Sequence, residues 1–387
     1  MIFLSGCAAP PAEQKTTRVL PDSVRGVWLF YRELSMTAEN GGTAKSFTEK
    51  ISSIFDNCVS LGINTVFFHV RPFADSFCKS SLFPTSEYLT GEQGGEISYD
   101  PLEIAVSAAH ERGISLHAWI NPFRISFSDD ASRLADSNPA KKLIESGSDR
   151  VCRIGGGFYF NPSCAENHKL IIDGVREIVK NYDVDGVHID DYFYPDTAKS
   201  IDKAQYEKYL SGGGKLSLSD WRIQWVNLFV SSLYSAVKAE DESLVVSVSP
   251  AGNIGNNYNK LYADVKRWGS VGGYCDWLIP QIYFGYKNSV QPFEKCAAQW
   301  REITTNDSVK LIVGLAAYKT LSGESDEWKS DDIISRQSQT AQTCGYDGFA
   351  LFSYSSIVSP DFEENADFLR QSSETSPESG GDVKRGN

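Results

Sequence analysis

The sequence of 387 residues lacks a long apolar run, a dense set of cysteines and an excess of positive charge. No stretch of 18 or more apolar residues occurs, so no segment is predicted to span a bilayer by itself. Eight cysteines at irregular spacings, with no CxxC pair, exclude a disulfide scaffold and indicate no zinc motif. The 37 Lys and Arg against 50 Asp and Glu give a formal charge of −13, which argues against nucleic acid as the main partner.

The apolar content is sufficient for a folded protein. Hydrophobic residues make up 41% of the chain and aromatic residues 12%, which excludes an intrinsically disordered chain. An acidic, aromatic-rich globular protein is a class that includes many carbohydrate-active proteins, although composition alone does not select one.

The two ends of the chain differ from the middle. Leu4-Ser5-Gly6-Cys7 resembles a bacterial lipobox, in which the cysteine is lipidated after signal cleavage. Only six residues precede Cys7 and none is basic, so either the match is chance or the given start lies downstream of the true one. We favour the second reading, because a Pro/Ala/Gln/Thr-rich tether follows at once. We therefore predict a signal remnant and tether over 1–21, one folded domain over 22–370 and a disordered tail over 371–387.

Short β-branched and aromatic runs recur along the folded part, separated by amphipathic stretches, as in βα units. Eight runs are predicted to be strands: 26–31, 64–71, 115–121, 185–191, 244–249, 277–283, 310–316 and 348–354. Helices are predicted over 47–61, 102–112, 168–182, 221–239 and 333–343, and glycines 62, 113 and 345 follow three of them.

Eight strands alternating with helices predict an α/β fold, namely a (β/α)8 TIM barrel with extended βα loops. An open doubly wound sheet is the alternative, and it requires a Gly-rich phosphate turn after the first strand. Tyr31-Arg-Glu-Leu-Ser35 contains no glycine, which argues against that fold.

In a barrel the functional residues lie at the carboxyl ends of the strands, where the βα loops converge. Any one polar residue there has even odds of a purely structural role, but their common position is harder to assign to structure alone. The strand ends supply these candidates: Glu33, His69, Arg71, Asp75, Trp119, Asn121, His188, Asp190, Asp191, Tyr192, Asn253, Gln281, Tyr283, Tyr318 and Tyr354.

The fourth strand carries the sharpest pattern. His188, Asp190 and Tyr192 alternate with Val187 and Ile189, so the polar set is expected to face the barrel axis. Burial among aromatic side chains would raise the pKa of an aspartate there toward a value useful for acid–base catalysis. Asp191 starts on the opposite face, but the strand ends at that point, so it either caps the following turn or also reaches the site.

The other candidates suit a sugar. Tyr and Trp faces stack on pyranose rings, while Asn, Gln and Arg side chains bond hydroxyl groups. A zinc site built from His69, His117 and His188 is the alternative, but no HxH or HxxxH spacing supports it. We predict no metal and no cofactor.

The motifs of the chain resemble those of a known family. They are Arg25-Gly-Val-Trp28, Phe68-His-Val-Arg-Pro-Phe73, His117-Ala-Trp-Ile-Asn-Pro122, Asp185-Gly-Val-His-Ile-Asp-Asp-Tyr192 and Pro280-Gln-Ile-Tyr283. Together they resemble the glycosyl-hydrolase-like 10 family of bacterial lipoproteins. The resemblance implies a secreted or lipid-anchored glycoside hydrolase acting on an envelope polysaccharide, plausibly peptidoglycan glycan strands. It implies catalysis by Asp190 or Asp191, and a sugar site lined by Arg71, Asn121, Gln281 and Tyr283. The first strand departs from the family pattern, which puts the role of Glu33 in doubt.

Glycoside hydrolysis normally uses two carboxylates. Glu33 or Asp75 supplies the second one, or an N-acetyl sugar supplies its own amide oxygen while Tyr283 positions the acetamido group. The competing function is a non-catalytic carbohydrate-binding barrel. Cys152 and Cys164 either pair or remain free thiols. We expect a monomer that meets a membrane only through a lipid on Cys7.

Overall fold

A ring of parallel strands forms the centre of the computed structural model, which describes residues 18, 20–39, 42–323, 325–330 and 332–374. The strands of this ring are β1 (Val24–Leu29), β2 (Thr65–Arg71), β3 (Ser115–Ile120), β7 (Gly186–Ile189), β8 (Val245–Val248), β9 (Trp277–Leu278), β10 (Lys310–Leu311), β11 (Val313–Leu315) and β12 (Gly348–Phe352). A small antiparallel sheet of β4 (Arg124–Ser126), β5 (Val151–Ile154) and β6 (Gly157–Phe160) lies in the connection after β3.

The order of the strands closes the ring. It runs β10-β9-β8-β7-β3-β2-β1-β12-β11, and the first and last members are parts of one segment separated only by Ile312. Every pairing in this sheet is parallel, with Gly26 of β1 opposite Thr65 of β2 and Val24 opposite Gly348 of β12. The predicted (β/α)8 barrel is confirmed, and each of the eight predicted runs overlaps a strand of the ring.

Helices surround the barrel. Their bounds are α1 (Ala44–Ser60), α2 (Glu87–Thr90), α3 (Pro101–His110), α4 (Lys141–Glu145), α5 (Ala165–Asn181), α6 (Lys203–Ser211), α7 (Leu218–Glu240), α8 (Ile254–Asn256), α9 (Val265–Ser270), α10 (Phe293–Ile303), α11 (Tyr318–Ser322), α12 (Ile333–Thr343), α13 (Tyr354–Ile357) and α14 (Glu363–Glu374). Short 3-10 turns cover Thr37–Glu39, Ala131–Arg133 and Pro360–Phe362, and a π-helical turn covers Asn257–Leu261. None of the helices in the described part of the chain combines the length and apolarity that a membrane crossing requires.

The five predicted helices are present. Of the helices in the described residues that were not predicted, α10 and α14 are the longest. α10 buries Phe293, Cys296, Ala297 and Trp300, which recur at helical spacing on one face. α14 runs to Glu374, four residues into the segment predicted to be a disordered tail. The remainder of that tail, like Cys7 and most of the tether, lies outside the described residues.

Glycines end the helices where the sequence predicts. Gly62 and Gly113 follow α1 and α3, with φ angles of 69° and 68° in the left-handed region. A residue with a Cβ atom is strained at such angles, so glycine is the residue that lets each helix turn directly into the next strand.

The barrel has an inner and an outer apolar layer. Trp28, Phe67, Trp119 and Trp277 pack with each other inside the ring, and the outward side chains of the strands pack against the helices. Each such side chain contributes roughly 1.5–3 kcal/mol when it is fully buried. The interior of the ring is therefore a packed core and not a channel.

The first described residues close the amino-terminal end of the ring. Arg18 is 5% exposed and donates to the carboxylates of Asp183 and Asp241 at 3.0 and 2.6 Å, just before β7 and β8 begin. Its Nε donates to the carbonyl oxygen of Val184 at 3.1 Å. These bonds hold Arg18 at the end of the barrel from which its strands start.

Cys152 and Cys164 are free thiols, as are the other cysteines of the described residues. The Cys152 Sγ lies 3.7 Å from the carbonyl oxygen of Tyr159, and the Cys164 Sγ accepts from Gln205 at 3.6 Å. Of the two readings that the sequence left open, the structure has the free thiols.

Candidate functional site

A cleft of about 350 Å³ opens at the carboxyl ends of the barrel strands. This end of the barrel is where the βα loops meet, and the cleft collects side chains from most of the ring. Its lining consists of Trp28, Phe30, Tyr31, Arg32, His69, Trp119, Asn121, Arg124, Phe127, Asp190, Asp191, Tyr192, Gln281, Tyr283, Tyr318 and Phe352.

Asp190 lies directly after β7 and is 3% exposed. Its Oδ2 accepts from the Trp119 indole nitrogen at 3.1 Å and from the Asn121 Nδ2 at 2.5 Å, and its Oδ1 accepts from the backbone nitrogen of Tyr192 at 3.3 Å. Burial raises the pKa of Asp190 to about 7, and the neighbouring Asp191 adds to the rise. Both effects make this carboxyl group easier to protonate than a free aspartate.

His69 supports Asp190 through Asn121. The His69 Nε2 lies 2.5 Å from the Asn121 Oδ1, so it carries the proton and donates, while the amide nitrogen of Asn121 donates to Asp190. The His69 ring stacks on Trp119 at a centroid distance of 3.5 Å. Burial lowers the pKa of His69 well below its ordinary value, so the ring is neutral. The chain of bonds fixes the orientation of both donors to Asp190.

Asp191 also reaches the cleft, because β7 ends at Ile189 and the alternation of the strand stops there. Its Oδ1 lies 3.4 Å from the Nε2 of Gln281, and Tyr283 is close enough to feel its charge. Burial raises the pKa of Asp191, and hydrogen bonds partly offset the rise. The two aspartates titrate as a pair, because ionisation of one opposes ionisation of the other.

Arg124 is the cation beside this pair. It is 4% exposed, and its guanidinium lies 3.6 Å from the centre of the Tyr192 ring and 4.5 Å from that of Phe127. Its charge lowers the pKa values of Asp190 and Asp191, opposing the effect of burial. The cleft therefore holds a carboxyl pair with raised pKa values and a positive charge against one wall.

Aromatic rings form the other walls. Tyr283 and Tyr318 meet edge to face at 6.2 Å, and Phe352 lies 6.3 Å from Tyr283 and 5.9 Å from Phe30. Flat rings on several sides, with amide and carboxyl groups between them, suit a sugar, whose apolar faces stack and whose hydroxyl groups require hydrogen bonds.

Nine of the predicted site residues line the cleft. They are His69, Trp119, Asn121, Asp190, Asp191, Tyr192, Gln281, Tyr283 and Tyr318. Six others lie outside it: Glu33, Arg71, Asp75, His188, Asn253 and Tyr354.

Glu33 stabilises a turn beside the cleft. Its Oε1 accepts from the Ser353 hydroxyl and the Ser355 backbone nitrogen, and its Oε2 accepts from the backbone nitrogen of Phe30, at 2.6–2.9 Å. Burial raises its pKa, and these bonds partly offset the rise. With both oxygens bonded and no place in the lining, Glu33 is not positioned as a second catalytic carboxyl group.

Arg71 faces the helices instead of the sugar site. The register of β2 shifts between His69 and Arg71, so Arg71 turns outward and its guanidinium lies 4.4 Å from the centre of the Phe83 ring. Asp75 lies in an adjacent cavity that shares Arg32 and Phe127 with the cleft, and burial raises its pKa to about 7.

The other three residues outside the lining have structural contacts. His188 accepts from the Trp28 indole nitrogen at 3.0 Å through Nε2, so its Nδ1 donates to the Ser247 hydroxyl at 2.8 Å inside the barrel. Asn253 caps α8 by accepting from the backbone nitrogen of Asn256. The Tyr354 hydroxyl accepts from Asn57 at 2.9 Å.

The list of predicted site residues omitted much of the lining. Arg32, Arg124, Phe30, Phe127 and Phe352 line the cleft and are not among the predicted site residues. A run of aromatic residues at a strand end predicts burial as readily as ligand contact, so the sequence carried no signal that separates the two.

A three-histidine zinc site finds no support in the geometry. Both ring nitrogens of His188 are bonded to Trp28 and Ser247, and His117 stacks on Trp277 below the cleft. The described residues contain no group of three or more His, Cys, Asp or Glu arranged to hold a metal ion.

Two curated relatives of the chain are glycosyl hydrolases by name. The chain is 33% identical over 337 residues to Glycosyl hydrolase YngK of Bacillus subtilis, covering 81% of this chain and 64% of that protein. It is 30% identical over 358 residues to Glycosyl hydrolase DigH of Escherichia coli K12, covering 84% and 80%.

The fold is shared with the glycoside hydrolase domain of PgaB (BpsB) from Bordetella bronchiseptica. The TM-score is 0.62 at 13% identity, over 90% of this chain and 99% of that domain. The family model described as Glycosyl hydrolase-like 10 matches residues 23–330. The chain belongs to the glycosyl hydrolase-like 10 family.

Proposed function

We propose that this protein hydrolyses glycosidic bonds in a cell-envelope polysaccharide, and that glycan strands of peptidoglycan are its substrate. The observation that carries the proposal is the pair of titratable carboxyl groups, Asp190 and Asp191, in one aromatic-lined cleft. Membership of a glycosyl hydrolase-like family and the names of the relatives support the class of reaction.

The two aspartates take different roles because their surroundings differ. Asp190 accepts three hydrogen bonds, all from N–H donors that favour its ionised form. Asp191 accepts one longer bond from a side chain, that of Gln281. Burial and the charge of Asp191 raise the pKa of Asp190 and favour a proton there, but three donors to Asp190 against one to Asp191 favour the Asp190 anion. When the pair shares one proton, we give the donors the greater weight and assign the negative charge to Asp190 and the proton to Asp191. Asp191 is then the general acid.

The lining supplies no further carboxylate. Among the described residues, Asp190 and Asp191 are the only acidic side chains that line the cleft, and Glu33 is fully bonded elsewhere. This composition favours the substrate-assisted mechanism, an accepted exception to the use of a carboxylate nucleophile.

In that mechanism the carbonyl oxygen of a 2-acetamido group attacks the anomeric carbon as the glycosidic C–O bond breaks. The leaving oxygen takes the Asp191 proton, and Asp190 accepts the acetamido N–H and stabilises the positive charge of the oxazolinium. Water then adds to the anomeric carbon as the bond between that carbon and the acetamido oxygen breaks, and the water gives a proton to Asp191, which restores the pair. Two displacements at one carbon retain its configuration.

The test is hydrolysis of purified glycan strands by the parent protein and by Asp190→Asn and Asp191→Asn, with products identified by mass spectrometry. We expect each substitution to reduce the rate about 10²–10⁴-fold while the melting temperature stays nearly unchanged. Asp56→Asn is the matched control, since Asp56 is exposed and pairs with Arg112 outside the cleft. Full activity in both variants would refute the assignment.

The anomer formed first is a second readout. NMR of the initial product should show retained configuration, and strands whose acetamido groups have been removed should not be cleaved. Inversion would rule out substrate assistance while leaving hydrolysis itself in place. Binding of strands without any product from several polysaccharides would instead favour the non-catalytic carbohydrate-binding function.

We also propose a location outside the cytoplasm, with attachment through a lipid on Cys7. Arg18, which follows Cys7 in the sequence, lies at the end of the barrel opposite the cleft. Incorporation of a fatty-acid analogue in cells, abolished by Cys7→Ala, tests the attachment.

A further inference from the structure

Arg124 has an unused pair of hydrogen-bond donors at the cleft. The residue is only 4% exposed. Its Nε and Nη2 atoms are buried and have no hydrogen-bond partner among the described residues. The same side chain lines the cleft between the Tyr192 and Phe127 rings. Both atoms are closed to water-sized contact in this arrangement, and buried charged donors without an acceptor are costly, so a ligand acceptor reaches this edge when the side chains over it move.

The identity of the two nitrogens indicates which acceptor fits. Nε and Nη2 lie on one edge of the guanidinium and bind both oxygens of a carboxylate side by side. Arg222 uses this edge elsewhere in the chain, donating from Nε and Nη2 to the two oxygens of Asp202 at 2.8 and 2.6 Å. Arg124 presents the same edge, and no carboxylate of the described residues occupies it.

A second cation lies at the rim. Arg32 is exposed and lines both the cleft and the adjacent cavity. The chain as a whole carries a formal charge of −13 and would repel an anionic glycan. Local cations at the cleft are therefore what such a glycan requires in order to bind.

We propose that Arg124 is a specificity-determining residue that binds a carboxylate carried by a sugar of the glycan, and that Arg32 attracts the same charge at the rim. This proposal rests on the proposed function, and it adds the selection of acidic glycans over neutral ones. A different account is that Arg124 acts only on the charges of Asp190 and Asp191, and the experiment separates the two.

The experiment compares peptide-free glycan strands, whose lactyl groups carry carboxylates, with the same strands after those carboxylates have been reduced to alcohols. For the parent protein we expect reduction to raise KM about 10- to 100-fold with little change in kcat, since one bidentate charged contact is lost. Arg124→Gln should raise KM on the acidic strands by a similar factor and should make reduction of the substrate nearly without effect. Hyaluronan oligosaccharides test whether a ring carboxylate is accepted in place of a lactyl one.

Arg153→Gln is the charge-matched control. Arg153 belongs to the same connection after β3, is exposed and pairs with Asp129, and does not line the cleft. We expect it to keep the preference for acidic strands. Equal KM values of the parent protein on acidic and reduced strands would overturn the proposal. An Arg124→Gln variant that loses activity equally on acidic and reduced strands, and whose pH–rate profile shifts, would also overturn the proposal. That result would show that Arg124 acts through the charges of the aspartate pair.

Binding measurements distinguish a failure of the proposed hydrolysis from a failure of the proposed role of Arg124. Titration calorimetry of both kinds of strand against Asp191→Asn reports the carboxylate preference without turnover. Tighter binding of the acidic strands with no cleavage by the parent protein would support the role of Arg124 while refuting the hydrolase. Equal binding of the two would refute the role of Arg124 even if hydrolysis is found.

Discussion

The indole nitrogen of Trp119 is predicted to set the ionisation of Asp190. It donates to the Asp190 Oδ2 at 3.1 Å inside the cleft. A hydrogen bond to a charged group contributes about 1.5–3 kcal/mol, which corresponds to roughly 1–2 pKa units. Trp119→Phe removes the N–H but keeps an aromatic face against His69. Because Asn121 still donates to Asp190, we expect the lower end of this range, a rise of about one unit.

The sign follows from which form the donor favours. The N–H stabilises the carboxylate, so its loss raises the pKa of Asp190, and the ionised form then appears only at higher pH. The low-pH limb of kcat/KM should therefore move upward by about one unit. The assay is the rate of glycan-strand hydrolysis between about pH 4 and pH 9, with the limb attributed to the aspartate pair as a whole.

Trp268→Phe is the control for loss of a buried indole donor. The Trp268 nitrogen donates to the Asn227 Oδ1 at 2.7 Å, outside the cleft lining. This variant should have a lower free energy of unfolding, and the low-pH limb of kcat/KM should stay at the same pH. The reasoning would be refuted if Trp119→Phe lowered kcat/KM at every pH without changing the pH at which its low-pH limb falls. Trp119 would then act by packing on His69 and not through its N–H.

Two further predictions concern charged groups outside the lining. Glu33→Gln should keep the rate within about tenfold of the parent, because Glu33 bonds a turn and not the substrate; a loss as large as that of Asp191→Asn would identify Glu33 as the second carboxyl group after all. Arg222→Met should lower the free energy of unfolding by about 3–5 kcal/mol in urea titrations, because it leaves the fully buried Asp202 unpaired. Arg222→Met stability within 1 kcal/mol of the parent, roughly the value of a surface pair, would contradict this.

Much of the barrel could be predicted from the sequence because its rules are local. Alternation along the fourth predicted strand, which is β7, predicted that His188 faces inward and that Val187 and Ile189 face outward. The structure confirms both orientations. The glycines after α1 and α3 predicted where those helices end. The period of apolar residues in a strand and the glycine at the end of a helix depend only on neighbouring residues in the sequence. Both can therefore be recognised before the fold is known.

The predicted site residues that lie outside the cleft lining depend on geometry that is not local. Arg71 has the same parity as His69, and only a register shift against β3 turns it toward Phe83. Glu33 follows a strand as a catalytic residue would, but three donors from the first and last strand ends bind its carboxylate. Nothing in the spacing of residues reveals either arrangement.

The adjacency of Asp190 and Asp191 explains why the surrounding polar groups are distributed unevenly. Two neighbouring carboxyl groups in similar surroundings would compete for one proton, and neither would be reliably an acid or an anion. Trp119 and Asn121 both donate to Asp190, whereas Asp191 accepts the longer bond from Gln281. This asymmetry divides the roles of the pair, so the donors to Asp190 are as necessary to the proposed chemistry as the carboxyl groups themselves.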